Sequence, residues 1–142
     1  MRASDGDGAS MGRPGAGVGW TADELRRIGG ADELQVASYR RDGTLRPGVT
    51  IWVVRLGDDV YLRSAYGPDN GWFRRALESG TGRVRAGGVT RDVRFVVPED
   101  DDVHASLDAA YHAKYDRYGP AIVGSVVGPA LVGCTVRVEP LG

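Results

Sequence analysis

Three tight-turn signals constrain this chain more than any other feature. Asp42-Gly43, Gly57-Asp58-Asp59 and Gly87-Gly88 cut the stretch from Glu33 to Val97 into short runs rich in valine, tyrosine and threonine. Glycine accepts the positive φ that hairpin turns demand, and β-branched residues suit a pleated surface. Strands are predicted over 33–40, 46–56, 60–66, 82–88 and 89–97, with a last one over about 132–139. The run "RPGVTIWVVRL" (46–56) is apolar on both faces around Trp52, which predicts a central strand. Runs joined by tight turns pair antiparallel, and six of them can close into a small barrel without free edges. The expected fold class is mainly β (α+β), a six-stranded antiparallel barrel.

Helices punctuate this sheet. Thr21 and Glu24 form a capping-box pattern, Trp20 and Leu25 a hydrophobic staple, and Gly29-Gly30 a stop. A short inserted helix is predicted at 71–79. A longer packed helix is predicted at 101–117, its start marked by the acids Glu99 to Asp102, with Val103, Leu107, Ala110, Tyr111 and Tyr115 on one stripe. Residues 1–19 are glycine-rich with little to bury and are expected to form a disordered tail, leaving 20–142 as a single domain. Gly15 to Gly19 alternates glycines, but no strand precedes it, so it is not a dinucleotide fingerprint.

Bulk properties exclude several function classes. The net charge is -1, so no overall field draws the protein to nucleic acid or anionic lipid. The single cysteine, Cys134, rules out an intrachain disulfide and a thiolate metal cluster, and reads as a small buried hydrophobe. No apolar leader follows Met1-Arg2, so a cytoplasmic location is expected. Tyr118 to Val136 carries no charge, yet Pro120, Pro129 and its glycines argue against a membrane helix and for a buried loop leading into a core strand. Its apolarity exceeds what a surface loop needs, which predicts burial against the barrel or a homodimer partner.

Familiar catalytic motifs are missing. His104 with Asp108, and His112 with Asp116, are i,i+4 pairs. A metal would need a third ligand that the sequence does not nominate, so these read as solvated helix residues and no metal is expected. What remains is a basic set. Arg40, Arg41 and Arg46 flank the first hairpin; Arg63 and Ser64 end the third strand; Arg74 and Arg75 follow a helix start at Asp69 or Asn70. Free N–H groups at a helix start, with a hydroxyl and arginines, suit an anion, and Trp72 could cover an aromatic ring. The competing reading has Trp72 packing the helix while the arginines face water. Phe73 and Leu77 are read as packing residues.

The segment "RRDGTLRPGVTIWVVRLGDDVYLRSAYGPDNGWFRRALESGTGRVRAGG" resembles the FMN- and deazaflavin-binding split-barrel superfamily, near its deazaflavin-dependent nitroreductases. The basic hairpin maps to Arg40 to Pro47, the strand end to Arg63 to Gly67, and the aromatic motif to Trp72, Phe73, Ala76 and Leu77. Ala76 stands where that pattern has asparagine. The chain is also similar to a small bacterial family of unknown function within the superfamily, which shares a tyrosine-rich segment like "AYHAKYDRYG". The resemblance implies a split barrel and a small oxidoreductase using FMN or a deazaflavin (coenzyme F420) on a small organic substrate. Arg40, Arg41, Arg46, Arg63, Ser64 and Arg75 would then hold the phosphate or acidic tail. Thr50 and Trp52 would line the ring, and Trp72, on the cofactor side, would bound the substrate pocket with Tyr111, Tyr115 and Tyr118. The alternative is a cofactor-free ligand binder or non-redox cyclase or isomerase, with a tyrosine or Lys114 moving a proton. A third possibility is a plain dimerisation module.

Overall fold

The structure, a computed structural model, describes residues 19–141; the predicted tail lies outside them except for Gly19. The elements are α1 (Ala22–Gly30), β1 (Leu34–Ser38), β2 (Val49–Ile51), β3 (Val54–Leu56), β4 (Asp59–Arg63) and α2 (Gly71–Ser79). β5 (Thr81–Ala86), β6 (Val89–Val96) and α3 (Val103–Tyr115) follow. A 3-10 turn (Asp116–Tyr118), the short α4 (Pro120–Val123), a second 3-10 turn (Pro129–Cys134) and β7 (Thr135–Pro140) complete the chain. The seven strands form one antiparallel sheet in the order β2-β1-β5-β6-β7-β4-β3, curled into a half-barrel.

The predicted strand over 46–56 is where the expectation of six strands fails. It is broken at Trp52-Val53 into β2, which pairs only with β1, and β3, which pairs only with β4. The presumed central strand thus supplies both edges of the sheet. The cause is a side chain: Tyr115 Oη accepts the Val53 amide at 3.0 Å and faces the Val53 carbonyl at 2.9 Å. Lys114 Nζ donates to the same carbonyl at 2.7 Å. Val53's backbone groups are satisfied without a neighbouring strand.

Two cores explain why this run is apolar on both faces. Val53 points inward, into a cluster with Leu34, Val36, Leu62, Val84 and Val93 that α1 and α2 also enter. Val54 points outward and is equally buried, because α3 covers that end of the sheet with Leu107, Tyr111 and Tyr115. In β5 the alternation is clean, with Gly82, Val84 and Ala86 inside and Arg83 and Arg85 outside. Gly82 is required there: a Cβ would lie 2.2 Å from Ala37 O.

The helices obey their local signals. Thr21 and Glu24 form the reciprocal capping box on α1, and Trp20 Nε1 donates to Val138 O at 3.0 Å across the barrel. On α2 the buried face is Trp72, Phe73 and Ala76, whereas Leu77, expected to pack, is 47% exposed. Leu77 lies about 140° round the helix from Trp72, at the edge of the buried face beyond Phe73. The 119–133 segment is not a plain loop: it forms α4 and a 3-10 turn, burying Val123, Val126 and Leu131 while leaving Ile122 and Val132 exposed. No described helix is long and apolar enough to cross a membrane.

Candidate functional site

The four groups expected to converge at the start of α2 do not form one site. Arg63 is buried, and its N–H donors are met by protein acceptors: Thr135 Oγ1 (3.1 Å), Asp108 Oδ1 (2.5 Å), Val126 O (2.9 Å), His104 O (3.3 Å) and His104 Nδ1 (3.3 Å). Ser64 is buried too, its hydroxyl donating to Gly67 O at 2.5 Å. Trp72 lies in the barrel core, edge-on to Phe73. Arg75 alone is exposed, close against Gly71. Asn70 caps α2 without a side-chain bond to it, donating instead to Ala65 O.

This arrangement also revises the reading of His104 and Asp108. Neither is a plain solvated residue: His104 is buried, and Asp108, partly exposed, is paired with Arg63. The sequence carried a usable signal, since 104, 108, 111 and 115 lie on the same helical stripe as Leu107. His112 and Asp116 are exposed and joined at 2.7 Å, as solvated residues. Among the described residues no cluster of His, Cys, Asp or Glu could hold a metal ion.

The tyrosines and Lys114 gather where α3 meets the broken strand. Trp52 stacks on Tyr115 with ring centroids 3.9 Å apart and planes within 5°, and Tyr118 tilts against both. Tyr115 is held well above the ordinary phenol range by burial, and Tyr111 likewise. Tyr111 Oη is buried without a hydrogen-bond partner among the described residues. Asp32 accepts from Arg117 at 2.6 Å and from Tyr118 at 2.7 Å, and these bonds, Arg117's first, hold its carboxyl below the usual carboxylate range. Partial burial lowers Lys114 to about 8, against a smaller opposing pull from Asp32.

An open groove of about 460 Å³ lies on the outer sheet face. Its lining includes Glu33, Gln35, Thr50, Arg85 and Thr90, with the Gly87-Gly88 turn at one end. Cross-strand register places Thr50, Gln35, Arg85 and Thr90 in one row, because Gln35 faces Thr50 and Arg85, and Arg85 faces Thr90. Arg85 donates to Gln35 Oε1 at 2.6 Å. Glu33 and Thr50 adjoin Asp32 and Trp52 in the chain, linking groove to aromatic cluster. Of the expected cofactor residues, Thr50 lines the groove. Arg40, Arg41 and Arg46 sit on the hairpin beyond the opposite end of β1, where Arg40 donates to Thr44 Oγ1 and Leu45 O. Gln35, Arg85 and Thr90 were missed because each looks like an ordinary solvent-facing strand residue until register is known.

Solved structures share this fold. A structure described as an F420 reductase matches with a TM-score of 0.51 and 17% identity, covering 82% of this chain and 92% of its own. The heme storage protein HutZ from Vibrio cholerae matches with a TM-score of 0.58 and 14% identity, covering 84% and 87%. An FAD-binding protein from Mesorhizobium loti matches with a TM-score of 0.50 and 16% identity, covering 88% and 93%. No curated protein matches by sequence. A family model described as "Uncharacterized protein conserved in bacteria (DUF2255)" matches residues 24–138, which span six strands and most of β7. The chain belongs to the DUF2255 family of bacterial proteins.

Proposed function

We propose that this is a cytoplasmic, homodimeric oxidoreductase that holds a flavin or deazaflavin in the outer-face groove and reduces a small organic substrate. The groove carries this reading. It offers a guanidinium, a carboxamide and two threonine hydroxyls in one row, a donor set that fits a phosphate or hydroxylated tail. Arg85, Gln35, Thr50 and Thr90 would hold that tail, and half-exposed Trp52 would bound the ring. The bound group supplies hydride chemistry; the protein supplies anchoring and orientation. Exposed Tyr118 and half-buried Lys114 stand at the same end as Trp52 and are suited to protonating a reduced substrate. Fold neighbours described as an F420 reductase and an FAD-binding protein support the cofactor class.

Dimerisation is supported by exposed apolar groups. Tyr66 is 84% exposed at φ 65°, and its amide bonds Ser125 O, close to exposed Ile122. A strictly monomeric mass by light scattering at micromolar concentration rejects this part.

One observation favours a second reading, a cofactor-free binder or isomerase: Arg63, expected to grip phosphate, is wholly engaged inside the protein. Titration with FMN and with a deazaflavin, followed by fluorescence, decides between them. Loss of a charge-assisted bond costs about 1.5–3 kcal/mol, so Arg85→Ala weakens binding roughly ten- to a hundredfold. No binding of either cofactor at high micromolar concentration rejects the redox reading and promotes the second.

A further inference from the structure

Lys114 is the only lysine in the chain, and its surroundings do not suit a surface cation. It extends from the last turn of α3 into the corner between the broken strand and the loop before β1. Its one hydrogen bond among the described residues goes to a neutral acceptor, Val53 O at 2.7 Å, which Tyr115 Oη also faces at 2.9 Å. The nearest carboxylate is already committed, because Asp32 Oδ2 accepts from both Arg117 and Tyr118. The amine lies 5.2 Å from the Tyr115 ring, which is stacked on Trp52.

We propose that Lys114 is a reactive amine that condenses with aromatic aldehydes or ketones admitted beside Trp52 and Tyr118. The neutral Nζ lone pair attacks the carbonyl carbon, forming a C–N bond while the carbonyl oxygen takes up a proton. Loss of the amine protons and of that oxygen as water leaves the C=N bond of an imine. No oxidant or reductant is required.

The geometry favours the neutral amine this step needs. The charged groups facing it are Asp32 from the loop before β1 and Arg117 from the turn after α3, with the phenols Tyr115 and Tyr118. Burial disfavours the ammonium most; the attraction of Asp32 opposes that effect, and repulsion by Arg117 offsets part of the attraction. The balance lowers the pKa of Lys114 to about 8. The aromatic preference follows from the surroundings: the amine lies over the Tyr115 ring, Trp52 is stacked on that ring and half-exposed Tyr118 tilts against both, and offset stacking favours a planar partner.

The test needs no cofactor, so it stands apart from the redox reading. Full-length protein is incubated with benzaldehyde or acetaldehyde and sodium cyanoborohydride, which reduces the imine to a stable secondary amine. Peptide mapping by mass spectrometry separates Lys114 from the α-amino group. The expected result at about pH 7.5 is labelling of Lys114 at least about tenfold faster than of Nα-acetyl-lysine amide, with a rate midpoint near pH 8. Benzaldehyde should outpace acetaldehyde once each is scaled to its rate with the free amine. Lys114→Arg should abolish the labelled peptide while leaving the circular dichroism spectrum unchanged. Labelling no faster than the free amine, or a rate still climbing above pH 10, overturns the reactive amine. Equal scaled rates for the two aldehydes overturn the aromatic assignment.

Discussion

Arg63 on β4 and Asp108 on α3, distant in sequence, meet at 2.5 Å with the arginine side chain fully buried and the aspartate side chain 34% exposed. The same guanidinium reaches Val126 O and Thr135 Oγ1, so one side chain joins the sheet, α3 and the segment leading into β7. Asp108 extends the junction by accepting the Gly128 amide at 3.2 Å.

Arg63→Ala should therefore act on stability. It strands several buried acceptors and takes the ion-pair partner from Asp108, at a cost of roughly 3–5 kcal/mol. Arg63→Lys should recover little, since an ammonium has three donors and no planar fork. Urea unfolding of both variants checks this, and a midpoint close to wild type for Arg63→Ala would refute it.

Tyr115→Phe removes the hydroxyl that meets the Val53 amide and the carbonyls of Val53 and Asp32. The expected loss is about 1–3 kcal/mol, concentrated at the break between β2 and β3. Hydrogen exchange followed residue by residue should show the Val53 amide losing protection before the β5–β6 ladder does.

On α2, neighbouring side chains should differ sharply. Phe73→Ala opens the barrel core and should cost about 3–5 kcal/mol, whereas Leu77→Ala, on an exposed position, should stay within about 0.5 kcal/mol. Comparable losses in thermal or chemical unfolding would contradict the assignment of the buried face.

Lys114 gives stability a pH dependence of defined sign. Its folded-state value, about 8, lies below its ordinary value of 10.5, so the unfolded chain binds more protons between them. The penalty for burying the ammonium is complete below about pH 8 and is relieved as pH rises. Lys114→Met lacks that penalty. The stability of wild type relative to Lys114→Met should rise between about pH 8 and 9.5, below the range where tyrosines ionise, and a flat or falling difference would contradict the sign.

Local chemistry made much of this legible. The capping box at Thr21, the glycine turns and the α2 span were readable because each depends on a few adjacent residues. The break at Trp52-Val53 was not, since its cause is a hydroxyl on a helix 62 residues away. Arg63 misled for a related reason: a guanidinium beside a helix start reads as an anion site unless His104, Asp108 and Val126 are known to surround it. The groove depends on register across four strands, which sequence alternation alone leaves open.

The position of β7 has a consequence for biosynthesis. Strands β2, β1, β5 and β6 form one ladder and β4 with β3 another, and only Thr135–Pro140 hydrogen-bonds to both. A ribosome that has made everything up to Cys134 has therefore produced two sheet fragments, each with an open edge on β6 or β4. Neither can be joined by more of the chain already made. The two ladders can join only once Thr135–Pro140 has been made, and until then their open edges are the surfaces a chaperone would need to shield.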